Sequence, residues 1–216
     1  MPEQHTLVCY GDSNTHGTMP MSDLEDMGRF APDERWPGVL AASLGSGWRV
    51  IEEGLPGRTT VHPDPIAGEH KNGLAVLPAV LESHRPFDFL ALMLGTNDLK
   101  HRFQVPAVEI AESLVRLLEG AKNSGSGPGG ASPQVLLICP PPVIETGCLA
   151  EIFQGAAAKA DALVGYCEKT ALSHGAGFLD AGKVISSSPV DGVHFDAAAH
   201  VALGKAVAGA VDGMMK

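Results

Sequence analysis

The chain has 216 residues, 44% of them hydrophobic, and a formal net charge of −10 at neutral pH. A chain of this length can bury one sizeable core, and its composition does not shift along its length, so we predict a single domain over residues 1–216. The negative charge argues against a nucleic-acid partner, because phosphate binding requires a basic surface. No run approaches the ~18 consecutive apolar residues of a membrane span, so we expect no membrane partner.

The N-terminus and the cysteines bear on the cellular compartment. The opening sequence MPEQHTLVCYGD lacks a basic segment followed by an apolar core, so we expect no secretory signal and a cytoplasmic location. The four cysteines, which show no zinc-site spacing, are interpreted as reduced, structural thiols. The nine histidines include no H-E-x-x-H motif, and we predict neither a metal nor a cofactor. The four cysteines are Cys9, Cys139, Cys148 and Cys167.

Five runs typical of strands alternate with five helical segments. The strands are predicted at 6–10, 48–53, 87–94, 134–139 and 176–180. They are apolar almost throughout, as expected for a parallel sheet that is covered on both faces. Helical periodicity is found at about 35–46, 73–84, 106–122, 150–174 and 196–215. The alternation predicts right-handed crossovers and a three-layer α/β/α sandwich around a five-stranded parallel sheet.

Two of the connections are unusual in composition. Residues 123–133, NSGSGPGGASP, have too few apolar side chains to offset the entropy of ordering, so we predict a flexible surface connection within the same domain. Residues 18–34 form a long loop that contains three methionines. Long loops inside compact domains are often functional.

Polar clusters follow the predicted strands. In an open α/β sheet, ligands bind beyond the carboxyl ends of the strands. Polar residues that meet at this edge therefore favour a binding or catalytic site. The clusters are GDSNTHG (11–17), EEGLPGRTT (52–60), GTNDLK (95–100) and, before the last helix, DGVHF (191–195).

Ser13 lies where the first strand would turn into a helix. At such a turn its hydroxyl would project clear of the sheet as a nucleophile, provided that a base accepts its proton. Its backbone N–H would then face a developing oxyanion. The sequence Asp-Ser-Asn also fits a helix N-cap, since all three residue types are favoured caps. This stretch alone leaves both interpretations open.

Asp191 and His194 are three residues apart, close enough for a turn to place the carboxylate against one ring nitrogen. The other nitrogen would then be free to act as a general base for Ser13, and the ordinary imidazole pKa near ~6.5 suits neutral pH. A capping turn beside a partly buried histidine is the alternative. The N–H of Gly57 and the side-chain amide of Asn97 would donate to an oxyanion. Alternatively, Gly57 is a turn glycine and Asn97 forms an Asx-turn.

Together, the four clusters resemble the ordered blocks of the SGNH (GDSL-type) hydrolases. The resemblance implies a flavodoxin-like fold with Ser13 as nucleophile and Asp191 and His194 as its triad partners. It also implies an oxyanion hole made by Ser13, Gly57 and Asn97. The blocks are GDSNTHG, the glycine of GLPGR, GTND and DGVH, within residues 9–196.

Longer strings, among them RFAPDERWPGVLA and VIEEGLPGRTT, resemble the bacterial arylesterase branch of that family. This resemblance implies hydrolysis of short-chain acyl esters, acyl transfer to alcohols or peroxide, and a homo-oligomer such as an octamer. It also implies that the loop 18–34 and the segment around Ile152 and Phe153 wall the acyl channel. Asn14 departs from the family, in which leucine is frequent at this position. We predict substrate contacts at Asp12, Asn14, Phe153 and Val193.

A flavin-binding protein is the alternative function. The stretch DSNTHGT after the first strand would hold a phosphate through backbone N–H groups and hydroxyls. That interpretation leaves Asp191, His194 and Asn97 unexplained. We therefore predict a serine esterase that forms an acyl-enzyme on Ser13 and whose partner is a small ester.

Overall fold

The computed structural model describes residues 4–215. Its five strands are β1 His5–Gly11, β2 Trp48–Gly54, β3 Phe89–Met93, β4 Gln134–Cys139 and β5 Gly177–Asp180. They form one sheet in the order β2-β1-β3-β4-β5, and every neighbouring pair is parallel. This result confirms the predicted five-stranded parallel sheet, including the position of each strand to within two residues.

Helices cover both faces of the sheet, as predicted for a three-layer sandwich. The helices are α1 Ser13–His16, α2 Trp36–Leu44, α3 Gly73–His84, α4 Ala107–Lys122, α5 Ala156–Ser173 and α6 Ala197–Met214. Successive side chains of a strand point to opposite faces, so Leu7 and Cys9 pack with α2 and α6, whereas Val8 and Tyr10 pack with α3, α4 and α5. One hydrophobic core therefore lies on each side of the sheet.

The helix predicted at 150–174 begins later, at Ala156. Gly155 has a φ of 79°, a left-handed conformation that interrupts a right-handed helix. The residues before it form short turns instead. This late start leaves Ile152 and Phe153 outside α5, where they contribute to the cavity described below.

The connection at 123–133 is anchored at its centre, although its composition predicts flexibility. Ser126 is fully buried, and its carbonyl accepts the N–H of Phe87 at 3.0 Å. The Gly127 N–H donates to the Ala131 carbonyl at 2.7 Å. Backbone hydrogen bonds thus replace the missing side-chain contacts.

None of the helices between residues 4 and 215 is long and apolar enough to cross a bilayer.

The sheet order determines where a site can form. β1 and β3 are neighbours, and the connection after β1 runs toward β2 whereas the connection after β3 runs toward β4, in opposite directions along the sheet. A crevice opens beyond the carboxyl ends at such a switch point. Ser13 directly follows β1 and Asn97 comes shortly after β3, so both loops meet at this crevice.

Leu92, fully buried in β3, tests the packing of the core. Replacing it with alanine should lower the free energy of unfolding by about 2–5 kcal/mol, because the free energy gained by burying its apolar atoms is lost and a cavity remains in the core. The matched variant Leu172→Ala alters a side chain that is 69% exposed and should change stability by no more than about 0.5 kcal/mol. Urea denaturation followed by circular dichroism measures both. Equal effects would contradict the assigned packing.

Candidate active site

Ser13 is the first residue of α1, and Asp12 rather than Ser13 caps this helix. The Asp12 carboxylate accepts the N–H of Asn14 at 2.9 Å, so the Ser13 hydroxyl is not occupied by capping. The Ser13 Oγ lies 3.0 Å from Nε2 of His194. The Ser13 N–H, at a helix N-terminus, has no acceptor within the helix.

The Asp191 carboxylate is fully buried and accepts several hydrogen bonds. The N–H groups of Val193 and His194 donate to it, both at 2.9 Å, and that of Met21 donates at 2.7 Å. The His194 Nδ1 lies 2.6 Å from Oδ2. Burial alone would raise the pKa of Asp191, but the hydrogen bonds from His194 and from these backbone groups outweigh it and lower the pKa to about 2.

The ionised carboxylate determines how the His194 ring is protonated. Because the carboxylate can only accept hydrogen bonds, Nδ1 carries the proton and donates it to Asp191. The Nε2 lone pair then faces the Ser13 hydroxyl. This is the arrangement in which a carboxylate orients an imidazole for proton transfer from a serine.

Gly192 makes the turn between Asp191 and His194 feasible. Its φ is 77°, and a Cβ placed on it would lie only 1.7 Å from the Ile144 carbonyl oxygen. Only glycine fits this position. The Gly192 carbonyl accepts the Ile144 N–H at 2.8 Å, which fixes the turn to the segment after β4.

The two other predicted oxyanion donors lie near this group. Asn97 lines the same cavity as Ser13 and His194, and its Nδ2 lies 3.1 Å from the Arg58 carbonyl oxygen and 3.4 Å from Asp12 Oδ2. The second contact is long for a hydrogen bond, so this N–H is only weakly engaged. Gly57 follows cavity-lining Pro56 and has a φ of 80°, a conformation that favours glycine.

Arg58 connects the loops that carry these groups, and the sequence patterns gave no sign of this role. The side chain is 3% exposed, and its Nη1 donates to the carbonyl of Gly11 at 2.8 Å and to that of Glu53. Its guanidinium carbon lies 4.1 Å from the centre of the Tyr10 ring. The Arg58 carbonyl also accepts the side-chain amide of Asn97. Arg58 thus contacts the ends of β1 and β2 and the loop after β3.

Two predicted substrate contacts, Asp12 and Asn14, lie behind the nucleophile. Both side chains are buried, at 1% exposure each, and neither is among the residues that line the cavity. Asn14 Nδ2 donates to the Val193 carbonyl at 3.2 Å. Burial raises the pKa of Asp12 to about 6, partly offset by the hydrogen bond from the Asn14 N–H. Direct contact of either side chain with a substrate stays a prediction.

The cavity beside Ser13 has a volume of about 260 Å³. Phe153 and Val193, the other two predicted substrate contacts, are in its lining. Much of the remaining wall comes from the long loop 18–34. Its apolar lining consists of Met21, Met27, Pro56, Leu149, Ile152, Phe153 and Val193.

Lys100 and Arg102 also line the cavity, and sequence reasoning did not single them out. Lys100 belongs to the cluster GTNDLK, only three positions after Asn97. The 3-10 turn Asn97–Leu99 brings Lys100 back toward the cavity. That spacing was the one available signal.

The first loop offers little to the phosphate of a flavin. Asp12, Asn14 and Thr15 are buried and do not line the cavity, so their polar groups are not presented to an incoming ligand. A buried carboxyl group at Asp12 would also repel a phosphate whenever it is ionised. The geometry therefore favours ester hydrolysis over phosphate binding.

Comparisons with known proteins agree with this geometry. The model of the GDSL-like lipase/acylhydrolase family matches residues 9–202. The chain is similar to Est24, a carbohydrate acetylesterase from Sinorhizobium meliloti, at 35% identity and a TM-score of 0.93, over 98% of this chain and 100% of that one. It is also similar to the M. smegmatis aryl esterase, at 39% identity and a TM-score of 0.92, over 97% of this chain and 99% of that one.

A more distant structure shares the fold alone. The lipase/acylhydrolase from Enterococcus faecalis matches with a TM-score of 0.67 at 19% identity, over 98% of this chain and 97% of that one. A search of curated proteins found no match.

Proposed function

Since the chain belongs to the GDSL-like lipase/acylhydrolase family and is a carboxylic ester hydrolase, we propose that it cleaves esters through an acyl-enzyme on Ser13. The observation that carries this proposal is the continuous hydrogen-bonded chain from Asp191 through His194 to Ser13, with links of 2.6 and 3.0 Å. It ends in the cavity, where a substrate carbonyl would meet the hydroxyl.

The proposed reaction has two halves. Ser13 Oγ attacks the ester carbonyl carbon while His194 Nε2 accepts the hydroxyl proton, which gives a tetrahedral intermediate. As the intermediate collapses, the C–O bond to the alcohol breaks and His194 returns the proton to the leaving oxygen. Water then attacks the acyl-Ser13 carbonyl with His194 again as base, which releases the acid and restores the serine.

The negative charge of the intermediate needs hydrogen-bond donors. We assign this role to the N–H groups of Ser13 and Gly57 and to the side chain of Asn97. The left-handed turn at Gly57 and the weakly engaged amide of Asn97 support the assignment. Losing one such donor typically costs about 10²–10³ in rate.

We propose short acyl esters as the substrate class. The cavity of about 260 Å³ has a largely apolar lining, which suits a small acyl group better than a long chain. Acetate esters of phenols and of sugars are the two candidates, because one relative is an aryl esterase and another a carbohydrate acetylesterase. The cations Lys100 and Arg102 in the wall offer hydrogen-bond donors to a hydroxylated alcohol, which supports sugar esters as candidates beside phenyl esters.

Several finer predictions belong to the same proposal. Acyl transfer to alcohols or peroxide would share the acyl-enzyme and differ only in the attacking nucleophile. A homo-oligomer such as an octamer, a cytoplasmic location and a single domain over the whole chain also stay predictions from the sequence.

Ser13→Ala should lower the turnover of p-nitrophenyl acetate by about 10³-fold or more, because the nucleophile is lost. The matched variant Ser126→Ala removes another buried hydroxyl, one without a hydrogen-bond partner, and should keep activity within about twofold of the wild type. Release of p-nitrophenolate measures both rates. Equal rates for Ser13→Ala and the wild type would contradict the proposal.

Activity should fall on the acid side of neutral pH, because His194 can accept the serine proton only while its Nε2 is unprotonated. Asp191, with a pKa of about 2, stays ionised between about pH 5 and 7 and does not cause the loss. Asp12, with a pKa of about 6, does titrate there. The variant Asp12→Asn separates the two groups, and its acid loss should persist. A flat kcat/KM profile, or one that Asp12→Asn flattens, would contradict His194 as the base.

Ile152→Ala should shift the preference toward longer acyl chains by widening the cavity that Ile152 lines. The ratio of kcat/KM for p-nitrophenyl hexanoate to that for the acetate should rise by roughly tenfold, the lower end of the range for one methylene in an apolar pocket. Val201→Ala, in α6 and 38% exposed, is the control and should leave the ratio unchanged. The same assay with an acetylated sugar distinguishes the two alcohol classes. An unchanged ratio in Ile152→Ala would place the acyl group elsewhere.

A further inference from the structure

Lys100 is a cation in the cavity wall that the steps above do not use. Its side chain is 12% exposed, and it lines the cavity together with Ser13 and Asn97. A Cβ placed on Gly57 would lie 4.0 Å from the Lys100 Nζ. The ammonium therefore lies beside the glycine whose N–H we assign to the oxyanion.

Lys100 forms a long ion pair with Asp64 and no close hydrogen bond to it. Asp64 Oδ2 is the one carboxylate oxygen among residues 4–215 within 4.0 Å of Nζ, and its distance of 3.7 Å exceeds that of a hydrogen bond. Asp64 already binds Arg102 Nη1 at 3.0 Å. It also accepts the N–H groups of Ile66 and Ala67, at 2.9 and 3.0 Å. These three bonds all go to Oδ1, and Oδ2 has only a 3.4 Å contact with Arg102 Nη1, so Asp64 has closer partners than Lys100.

Two other carboxyl groups, Asp12 and Asp98, attract the ammonium, and they too have other partners. Asp12 accepts the N–H of Asn14, and Asp98 accepts both the N–H and the hydroxyl of Thr60, at 3.0 and 2.6 Å. Burial lowers the pKa of Lys100, because an ammonium loses hydration in the interior. A charge held there without close hydrogen bonds is costly, which suggests that it serves a bound negative charge.

We propose that Lys100 stabilises the negative charge on the carbonyl oxygen during attack by Ser13, an inference that rests on the proposed function. A fixed cation beside a developing oxyanion acts strongly where water is excluded. It also offsets the carboxyl group of Asp12, whose Oδ2 lies 3.4 Å from the Asn97 amide nitrogen. Lys100 thereby balances a charge that would otherwise oppose the oxyanion.

The test compares Lys100→Met with Lys71→Met. The Lys71 side chain also lies beside Gly57, its Cε 3.6 Å from the same Cβ position, but Lys71 is not among the residues that line the cavity. Both variants lose one positive charge. For p-nitrophenyl acetate, Lys100→Met should lower kcat by roughly tenfold or more, because the positive charge stabilises the transition state and not the bound ester. KM should change less than about twofold. Lys100→Arg should recover part of kcat.

A trifluoromethyl ketone inhibitor provides a readout that a structural role would not move. Such a ketone adds to the serine and holds a negative oxygen at the oxyanion position, so its Ki should rise in Lys100→Met by the same factor as kcat falls. Lys71→Met should leave both values within about twofold of the wild type. The inference is wrong if Lys100→Met leaves kcat and Ki unchanged, or if Lys71→Met changes them equally.

Ser13→Ala, assayed alongside, separates this inference from the function on which it rests. If hydrolysis by the wild type does not depend on Ser13, the proposed function itself fails. If it depends on Ser13 and Lys100→Met retains full kcat and inhibitor affinity, only the role of Lys100 fails.

Discussion

The buried, ionised carboxylate of Asp191 is the constraint on which the rest of the site depends. It binds the ring of His194, two N–H groups of its own turn and the N–H of Met21 in the long loop. A carboxylate without these partners would be too costly to bury. One group thus fixes the tautomer of the base and ties the turn before α6 to the loop that walls the cavity.

A second set of contacts holds the oxyanion side of the site. The Arg58 guanidinium binds the carbonyls at the ends of β1 and β2, and the Arg58 carbonyl accepts Asn97. The loops that carry Ser13, Gly57 and Asn97 are therefore held together by hydrogen bonds of one residue. Preorganised donors of this kind need no rearrangement when charge develops. The parallel sheet brings the loops to one edge, and Arg58 connects them there.

Charged groups lie at both ends of the site. Asp191 keeps its negative charge because hydrogen bonds outweigh the cost of burial. Asp12, with fewer such bonds, has its pKa raised to about 6. Lys100, whose charge attracts Asp12, is the cation that we propose for the oxyanion. A negative charge thus orients the base at one end, and a positive charge balances the carboxyl group near the oxyanion at the other.

Much of the fold followed from sequence because apolar runs and helical periodicity report directly on burial. The strands are where the runs predict them, but β2 and β5 are only half-buried, since edge strands have one neighbour. The predicted start of α5, at residue 150, was wrong because helical periodicity does not reveal the left-handed turn at Gly155.

The candidate site was predictable where local spacing carries the chemistry, and less so elsewhere. The three-residue spacing of Asp191 and His194 matches the observed pair, and Asn97 does reach the cavity. Asp12 and Asn14 are buried and outside the cavity lining, which local spacing does not reveal, and their contact with a substrate stays a prediction. Arg58 and Lys100 were missed since their partners are distant in sequence, and only the folded loops bring them together.

Covalent labelling of the nucleophile tests the central claim most directly. A p-nitrophenyl phosphonate ester should modify Ser13, with release of p-nitrophenolate, and peptide mass spectrometry should locate one adduct there. In His194→Ala the labelling rate should fall by about 10²–10⁴, the usual contribution of a general base. An adduct on another residue, or equal rates in the wild type and His194→Ala, would contradict the account.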